Sequence, residues 1–144
     1  SEMCIRDRYR NDMEGGQTNE FRPLILVAED DDSNFKLIKA IIGKKCDIQW
    51  AKNGEEIVAL FKEYGNEAKA ILMDIKMPVM NGLDATKIIR GENKEIPIIM
   101  QTAYAFSSDK ENAMNAGASE VLVKPITLSI LRNTLTKYFP ELVW

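Results

Sequence analysis

Ala70–Gly82, AILMDIKMPVMNG, decides how the rest of the chain is read. Ala70 to Met73 are small or apolar and predict a short buried strand that ends on the carboxylate of Asp74. The chain then turns through Met77-Pro78 and Asn81-Gly82. A charge at the carboxyl end of a buried strand stands at the lip of a parallel sheet, where open α/β proteins bind their ligands. Taken alone, Asp74 could equally cap the helix that follows. The other strand ends decide between the two readings.

On the N-terminal side, Leu24–Ala28 (LILVA) predicts a buried strand running into Glu29-Asp30-Asp31-Asp32. Asp32 or Ser33 is placed to cap a helix with Phe35, Leu37, Ile38, Ile41 and Ile42 on its apolar face, stopped at Gly43. Cys46, Ile48 and Trp50 alternate with polar residues, which predicts an edge strand with that face buried. Asn53 caps a second helix, with Glu55 and Glu56 in its first turn and Ile57, Val58, Leu60, Phe61 and Tyr64 facing inward.

On the C-terminal side, Leu83 to Arg90 predicts a third helix and Ile98–Thr102 (IIMQT) a strand. Ser108 and Glu111 have capping-box spacing for a fourth helix ending at Gly117. Val121 to Val123 is a last strand, followed by Lys124-Pro125. Leu128, Leu131, Leu135 and Tyr138 then mark a fifth helix. Strands alternating with helices imply a doubly wound α/β domain, a five-stranded parallel sheet covered on both faces by right-handed crossovers. The predicted domain is residues 23–139. Residues 1–22 are polar, without a sustained period, and read as a disordered or linker tail, in which MCIRDRYR resembles translated adapter sequence. Residues 140–144 read as a C-terminal tail, and no output domain is expected after them.

Composition narrows the chemistry. The 144 residues suit one domain, 45% hydrophobic and 28% charged, and the net charge of −3 gives no electrostatic case for nucleic acid. No apolar run approaches the ~20 residues of a membrane span, so no direct membrane contact is expected. Two cysteines are too few for a disulfide framework, which points to a cytoplasmic location. The absence of histidine removes Ser-His-Asp and Cys-His hydrolases and any phosphohistidine on this chain.

In a parallel sheet all strand carboxyl ends share one edge. That edge collects Glu29 and Asp30, Asp74, Thr102, and Lys124. Each has an ordinary reading by itself. An acidic run before a helix compensates its dipole, threonine is a good strand former, and a lysine before proline is usually solvated. Together they are mutually compatible with phosphoryl transfer onto Asp74. Clustered carboxylates repel and call for a hard divalent cation such as Mg²⁺. A carboxylate can serve as nucleophile, an ammonium can neutralise phosphoryl charge, and a hydroxyl can donate to a phosphoryl oxygen.

With these residues assembled, the chain resembles the receiver domain of two-component response regulators, over about Pro23 to Phe139. The matching segments are Glu29-Asp30, MDIKMPVMNG at Asp74, IIMQTAYA at Thr102 and VLVKPI at Lys124-Pro125. The resemblance implies a flavodoxin-like (βα)5 fold with strand order 2-1-3-4-5 and Asp74 as phosphoacceptor. It implies Mg²⁺ held by Glu29, Asp30, Asp74 and the Lys76 carbonyl, with Lys124 on the phosphoryl group and Thr102 as reporter. A cis peptide is expected at Lys124-Pro125. Such a domain is no independent enzyme, though it catalyses its own phosphorylation and dephosphorylation. Its partner would be a sensor histidine kinase or a histidine phosphotransfer protein.

ILVAED, Asn34 and KPI resemble the C-terminal receivers of hybrid sensor histidine kinases, with a free-standing regulator as runner-up. One position departs from the family pattern. The aromatic switch residue three places before the lysine is here Val121, with Tyr104 as a conceivable substitute. Two readings from other classes remain open. One is a small-molecule aspartyl-phosphate phosphatase or phosphotransferase, against which stands Lys76 where a second acid is usual. The other is a non-phosphorylated interaction module, against which stand the acidic pair and the lysine.

Overall fold

The computed structural model describes residues 21–103 and 108–144. Its strands are β1 (Leu24–Ala28), β2 (Asp47–Ala51), β3 (Ala68–Asp74), β4 (Ile98–Thr102) and β5 (Glu120–Val123). The helices among the described residues are α1 (Asp32–Ile42), α2 (Gly54–Tyr64), α3 (Gly82–Glu92), α4 (Ser108–Ala116) and α5 (Leu128–Tyr138). All strands are parallel, in the order β2-β1-β3-β4-β5. The chain leaves β1 for the edge and returns on its other side as β3. A crevice therefore opens between the carboxyl ends of β1 and β3, the switch point at which such sheets bind ligands.

Strand periodicity sorts the core into two layers. Ile71 and Met73 of β3 join Ile57, Phe61, Ile89 and Met100 in one cluster, beneath α2 and α3. Their neighbours Ala70 and Leu72 point the other way and join Ile25, Val27, Ile38, Ile42, Leu131 and Leu135, beneath α1 and α5. Burying each large side chain contributes ~1.5–3 kcal/mol, so the strands that converge on the crevice are held from both faces. Leu37, Ile88 and Leu128, apolar positions in the helical pattern, remain exposed.

The helix starts show why the chain turns where it does. Asn53, Asn81 and Thr127 accept the amides of Glu56, Asp84 and Ile130, and each satisfies an otherwise unpaired helical N–H. The cap of α1 is Asp31 rather than Asp32 or Ser33. Asp31 has extended backbone and accepts the Asn34 amide at 3.3 Å, whereas Asp32 is already helical. The edge strand also differs from its expected pattern. Asp47, Gln49 and Ala51 are the buried face of β2, and Ile48 and Trp50 are half-buried. Long-range partners explain this, because Arg22 reaches Asp47 at 3.2 Å and Gln49 donates to the Tyr64 hydroxyl. A paired polar group can be buried, and periodicity cannot foresee the pairing.

Packing reaches both flanks of the domain. Arg22 also donates to the carbonyls of Gly43 and Lys44, and Phe21 meets Phe139 with ring centroids 6.1 Å apart. Leu142 is buried, and the Trp144 indole donates to Thr136 at 3.0 Å.

Candidate functional site

Every polar group expected at the sheet edge comes from a strand end or from the one or two residues after it. Glu29 and Asp30 follow β1, Asp74 and Thr102 close β3 and β4, and Lys124 follows β5. Glu29 is fully buried, Asp74 is 4% exposed and Asp30 is exposed, and one carboxylate oxygen from each lies within 4.8 Å of the others. Lys124 Nζ donates to Asp74 Oδ2 at 2.9 Å and stands 3.7 Å from Glu29 Oε1. Its backbone amide donates to the Thr102 carbonyl at 2.8 Å, which ties the ends of β4 and β5 together. The Lys124-Pro125 peptide is cis, as expected.

Asp30, Asp74, Thr102 and Lys124 line a cavity of about 230 Å³ that also includes Lys76 and Gln101. A second cavity, about 260 Å³, adjoins it across Lys124 and is lined by Asn34, Leu37, Ile38 and Pro125. It contains no carboxylate, so the chemistry belongs to the first.

The electrostatics are those of a site built for a cation. Burial, then the charge of Asp74, pushes Glu29 up to about 7, against the opposing pull of Lys124 and the Asp31 amide. Burial disfavours the Lys124 ammonium, but its bond to Asp74 and the charges of Asp74, Glu29 and Asp30 outweigh this, and its pKa is raised. Glu29 Oε2 accepts the Asp31 amide at 3.2 Å, whereas Oε1 is buried with no hydrogen bond. A buried, half-satisfied carboxylate beside two more, all with hard oxygen donors, fits Mg²⁺.

Close backbone approaches shape the loop beyond Asp74. A Cβ on Gly82 would lie 2.1 Å from the Asp74 carbonyl oxygen, and one on Gly54 would lie 2.4 Å from that of Met80. Only glycine lets the first residues of α2 and α3 come this near to the backbone of Met80 and Asp74. Between them Val79 has φ 68, and the Met80 amide donates to the Pro78 carbonyl at 2.7 Å. That is a γ-turn centred on a β-branched residue, a strained conformation.

Thr102 is buried, and its hydroxyl donates to Asp109 Oδ2 at 3.5 Å. Asp109 is a partner that sequence reasoning missed, since the seven-residue separation carries no helical or strand signature. Val121 is half-buried against the cluster under α2 and α3. Tyr104 lies outside the described residues.

The sheet order, the crevice and this edge chemistry define a doubly wound α/β domain with an aspartate at the centre of its site. The response regulator receiver domain family matches residues 25–136, and the chain belongs to that family. It is 38% identical over 129 residues to hybrid signal transduction histidine kinase I of Dictyostelium discoideum, covering 81% of this chain and 7% of that protein. Among solved structures it resembles the receiver domain of sensor histidine kinase PA1611 from Pseudomonas aeruginosa PAO1, with magnesium coordinated in the active-site cleft. That match has a TM-score of 0.76 and 30% identity over 83% of this chain and 99% of the other. It also resembles the receiver of Saccharomyces cerevisiae Ssk1, solved with the histidine phosphotransfer protein Ypd1. There the TM-score is 0.76 and the identity 28%, over 85% of this chain and 93% of the other. The chain is thus a receiver domain of two-component phosphorelay, homologous to hybrid-kinase receivers. No helix among the described residues is long and apolar enough to cross a membrane.

Proposed function

We propose that Asp74 accepts a phosphoryl group from a phosphohistidine on a partner sensor kinase or phosphotransfer protein. The observation that carries this reading is the Asp74 carboxylate in its cavity, 2.9 Å from Lys124 and grouped with Glu29 and Asp30. In the transfer, a carboxylate oxygen of Asp74 forms a bond to phosphorus as the phosphorus–nitrogen bond breaks, and the imidazole leaves. Lys124 swings its ammonium from the free carboxylate to a phosphoryl oxygen, and Thr102 donates to another.

Glu29, Asp30, Asp74 and the Lys76 carbonyl are the residues that would hold Mg²⁺. When bound, it supplies positive charge to the phosphoryl oxygens. The strand ends orient these groups before the donor arrives, so the barrier falls by positioning and charge neutralisation. The same residues then hold the acyl phosphate until water or a second phosphotransfer histidine takes the phosphoryl group.

The domain's parent is read as a hybrid histidine kinase, because a relative 38% identical over 129 residues is one. Cytoplasmic placement follows from a kinase partner, and the buried Cys46, which forms no disulfide among the described residues, is in keeping with it. The test is incubation with phosphoramidate and Mg²⁺, followed by intact mass. One acid-labile phosphoryl group is expected on the parent chain and none on Asp74→Asn. Equal uptake by the two would sink the assignment.

A further inference from the structure

The acidic loop has an anchor outside the sheet edge. Residues 29–32 are Glu-Asp-Asp-Asp, four acids in succession, and three carboxylate oxygens of the site crowd within 4.8 Å. Such a loop repels itself when no cation is bound. Mg²⁺ tolerates little deviation from octahedral geometry, so the loop must be held close to its bound shape in advance.

The restraint comes from the edge strand. The Trp50 indole Nε1 donates to the backbone carbonyl of Glu29 at 2.8 Å, and the Glu29 amide donates to the Ala51 carbonyl at 2.9 Å. Both backbone polar groups of Glu29 are thereby tied to β2, at the residue whose side chain enters the site. The indole is itself held on two sides. Phe35 stacks on it with centroids 4.0 Å apart and planes within 1°, and Lys52 Nζ lies 4.8 Å from the ring centroid while pairing with Asp32 at 3.5 Å. Phe35 in turn donates its amide to the Asp31 carbonyl. Trp50, Phe35 and Lys52 therefore close around residues 29–32 from one side.

We infer that Trp50 is a positioning residue of the metal site, which presets the Glu29–Asp30 carboxylates through the indole bond to the Glu29 carbonyl. The inference rests on the reading of those carboxylates as metal ligands. Trp50 touches neither metal nor phosphoryl group. Second-sphere partners of this kind commonly change metal affinity by about tenfold or more, although a single neutral hydrogen bond sets the lower end.

The test compares the full chain with Trp50→Phe, which keeps the stacking ring but loses the donor, and with Trp50→His at pH 8, whose neutral ring can again donate an Nε2–H. Mg²⁺ affinity is measured by titration calorimetry, and amide hydrogen exchange at Asp31 is measured without metal. Trp50→Phe is expected to remain folded without metal and to bind Mg²⁺ about five- to tenfold more weakly. Asp31 exchange should accelerate, and Trp50→His should recover part of both losses. Unchanged affinity and exchange in Trp50→Phe would overturn the inference, as would equal losses in Trp50→His. If the parent chain itself binds no Mg²⁺, the metal-site reading fails instead. Exchange at Asp31 then still decides whether the indole holds the loop.

Discussion

Lys124 and Asp74, fifty positions apart, are joined by a 2.9 Å bond between ammonium and carboxylate at the ends of strands separated by β4. The same ammonium is 3.7 Å from Glu29, so one cation faces two buried carboxylates. The arrangement suits the proposed transfer, in which the ammonium would be close by without being committed to a single partner.

Lys124→Ala is expected to phosphorylate slowly, by about 10²-fold, comparable with losing one preorganised charge stabiliser. Removing one member of a buried ion pair often costs 3–5 kcal/mol. Here the cost should be smaller, since Glu29 titrates near 7 and can take up a proton instead. The measurement is phosphorylation rate beside melting temperature in Mg²⁺. Normal phosphorylation with a drop of several degrees would make Lys124 a structural residue.

Glu29 gives the metal-free domain an unusual pH profile. Its folded pKa is raised from 4.5 to about 7, so between these values the folded state binds the extra proton. Stability should therefore be greatest below about 4.5 as far as Glu29 is concerned, and fall as pH rises to 7, by up to about 3 kcal/mol. Mg²⁺ binds the ionised carboxylate, so its affinity should rise over the same window and its addition should offset the loss. Glu29→Ala or Asp30→Ala should weaken Mg²⁺ binding, and Glu29→Ala should also flatten the metal-free profile. Melting curves from pH 5 to 8, with and without Mg²⁺, supply the check; a metal-free domain that grows more stable towards pH 8 would contradict this account of Glu29.

What was legible in the sequence follows a physical divide. The strands, the helices and the groups at their ends are local: an apolar run, an alternation, a capping Asn, a charge placed one residue past a strand. Asp74, Glu29, Asp30, Thr102 and Lys124 could be listed together because a parallel sheet collects its carboxyl ends on one edge. The partners that finish the site are tertiary. Trp50 on the Glu29 carbonyl, Asp109 on Thr102 and Arg22 on Asp47 join elements whose spacing carries no periodic signal. The γ-turn at Val79 was also unreadable, since a β-branched residue argues against positive φ.

Gly82→Ala should disturb Asp74 directly. Its Cβ would meet the Asp74 carbonyl oxygen at 2.1 Å, and that atom is backbone, which cannot swing aside. The loss should be about 1–3 kcal/mol of stability, as for other overpacked sites, accompanied by slower phosphorylation. Alanine is otherwise the better helix former at this first position of α3, so a neutral or stabilised variant in urea denaturation would show that the approach relaxes freely.

On the proposed reading, phosphorylation is reported through Thr102. Its hydroxyl is engaged with Asp109 at 3.5 Å, and to reach a phosphoryl oxygen on Asp74 it must leave that partner. Phosphorylation can shift the domain only by its different interaction free energy with the two arrangements. Where an aromatic would fill the space Thr102 vacates, this chain has Val121, half-buried and without a hydroxyl. The population shift across β4, α4 and β5 should therefore be small, which suits a phosphoryl carrier in a relay better than a switched surface. Amide NMR with and without beryllofluoride tests this. Changes confined to the loops around Asp74, Thr102 and Lys124 are expected, and Asp109→Ala should enlarge them by removing a carboxylate that competes for the hydroxyl. Strong shifts running through α4 and β5 in the parent chain, or dimerisation on adding the mimic, would show instead that Val121 does not limit the response.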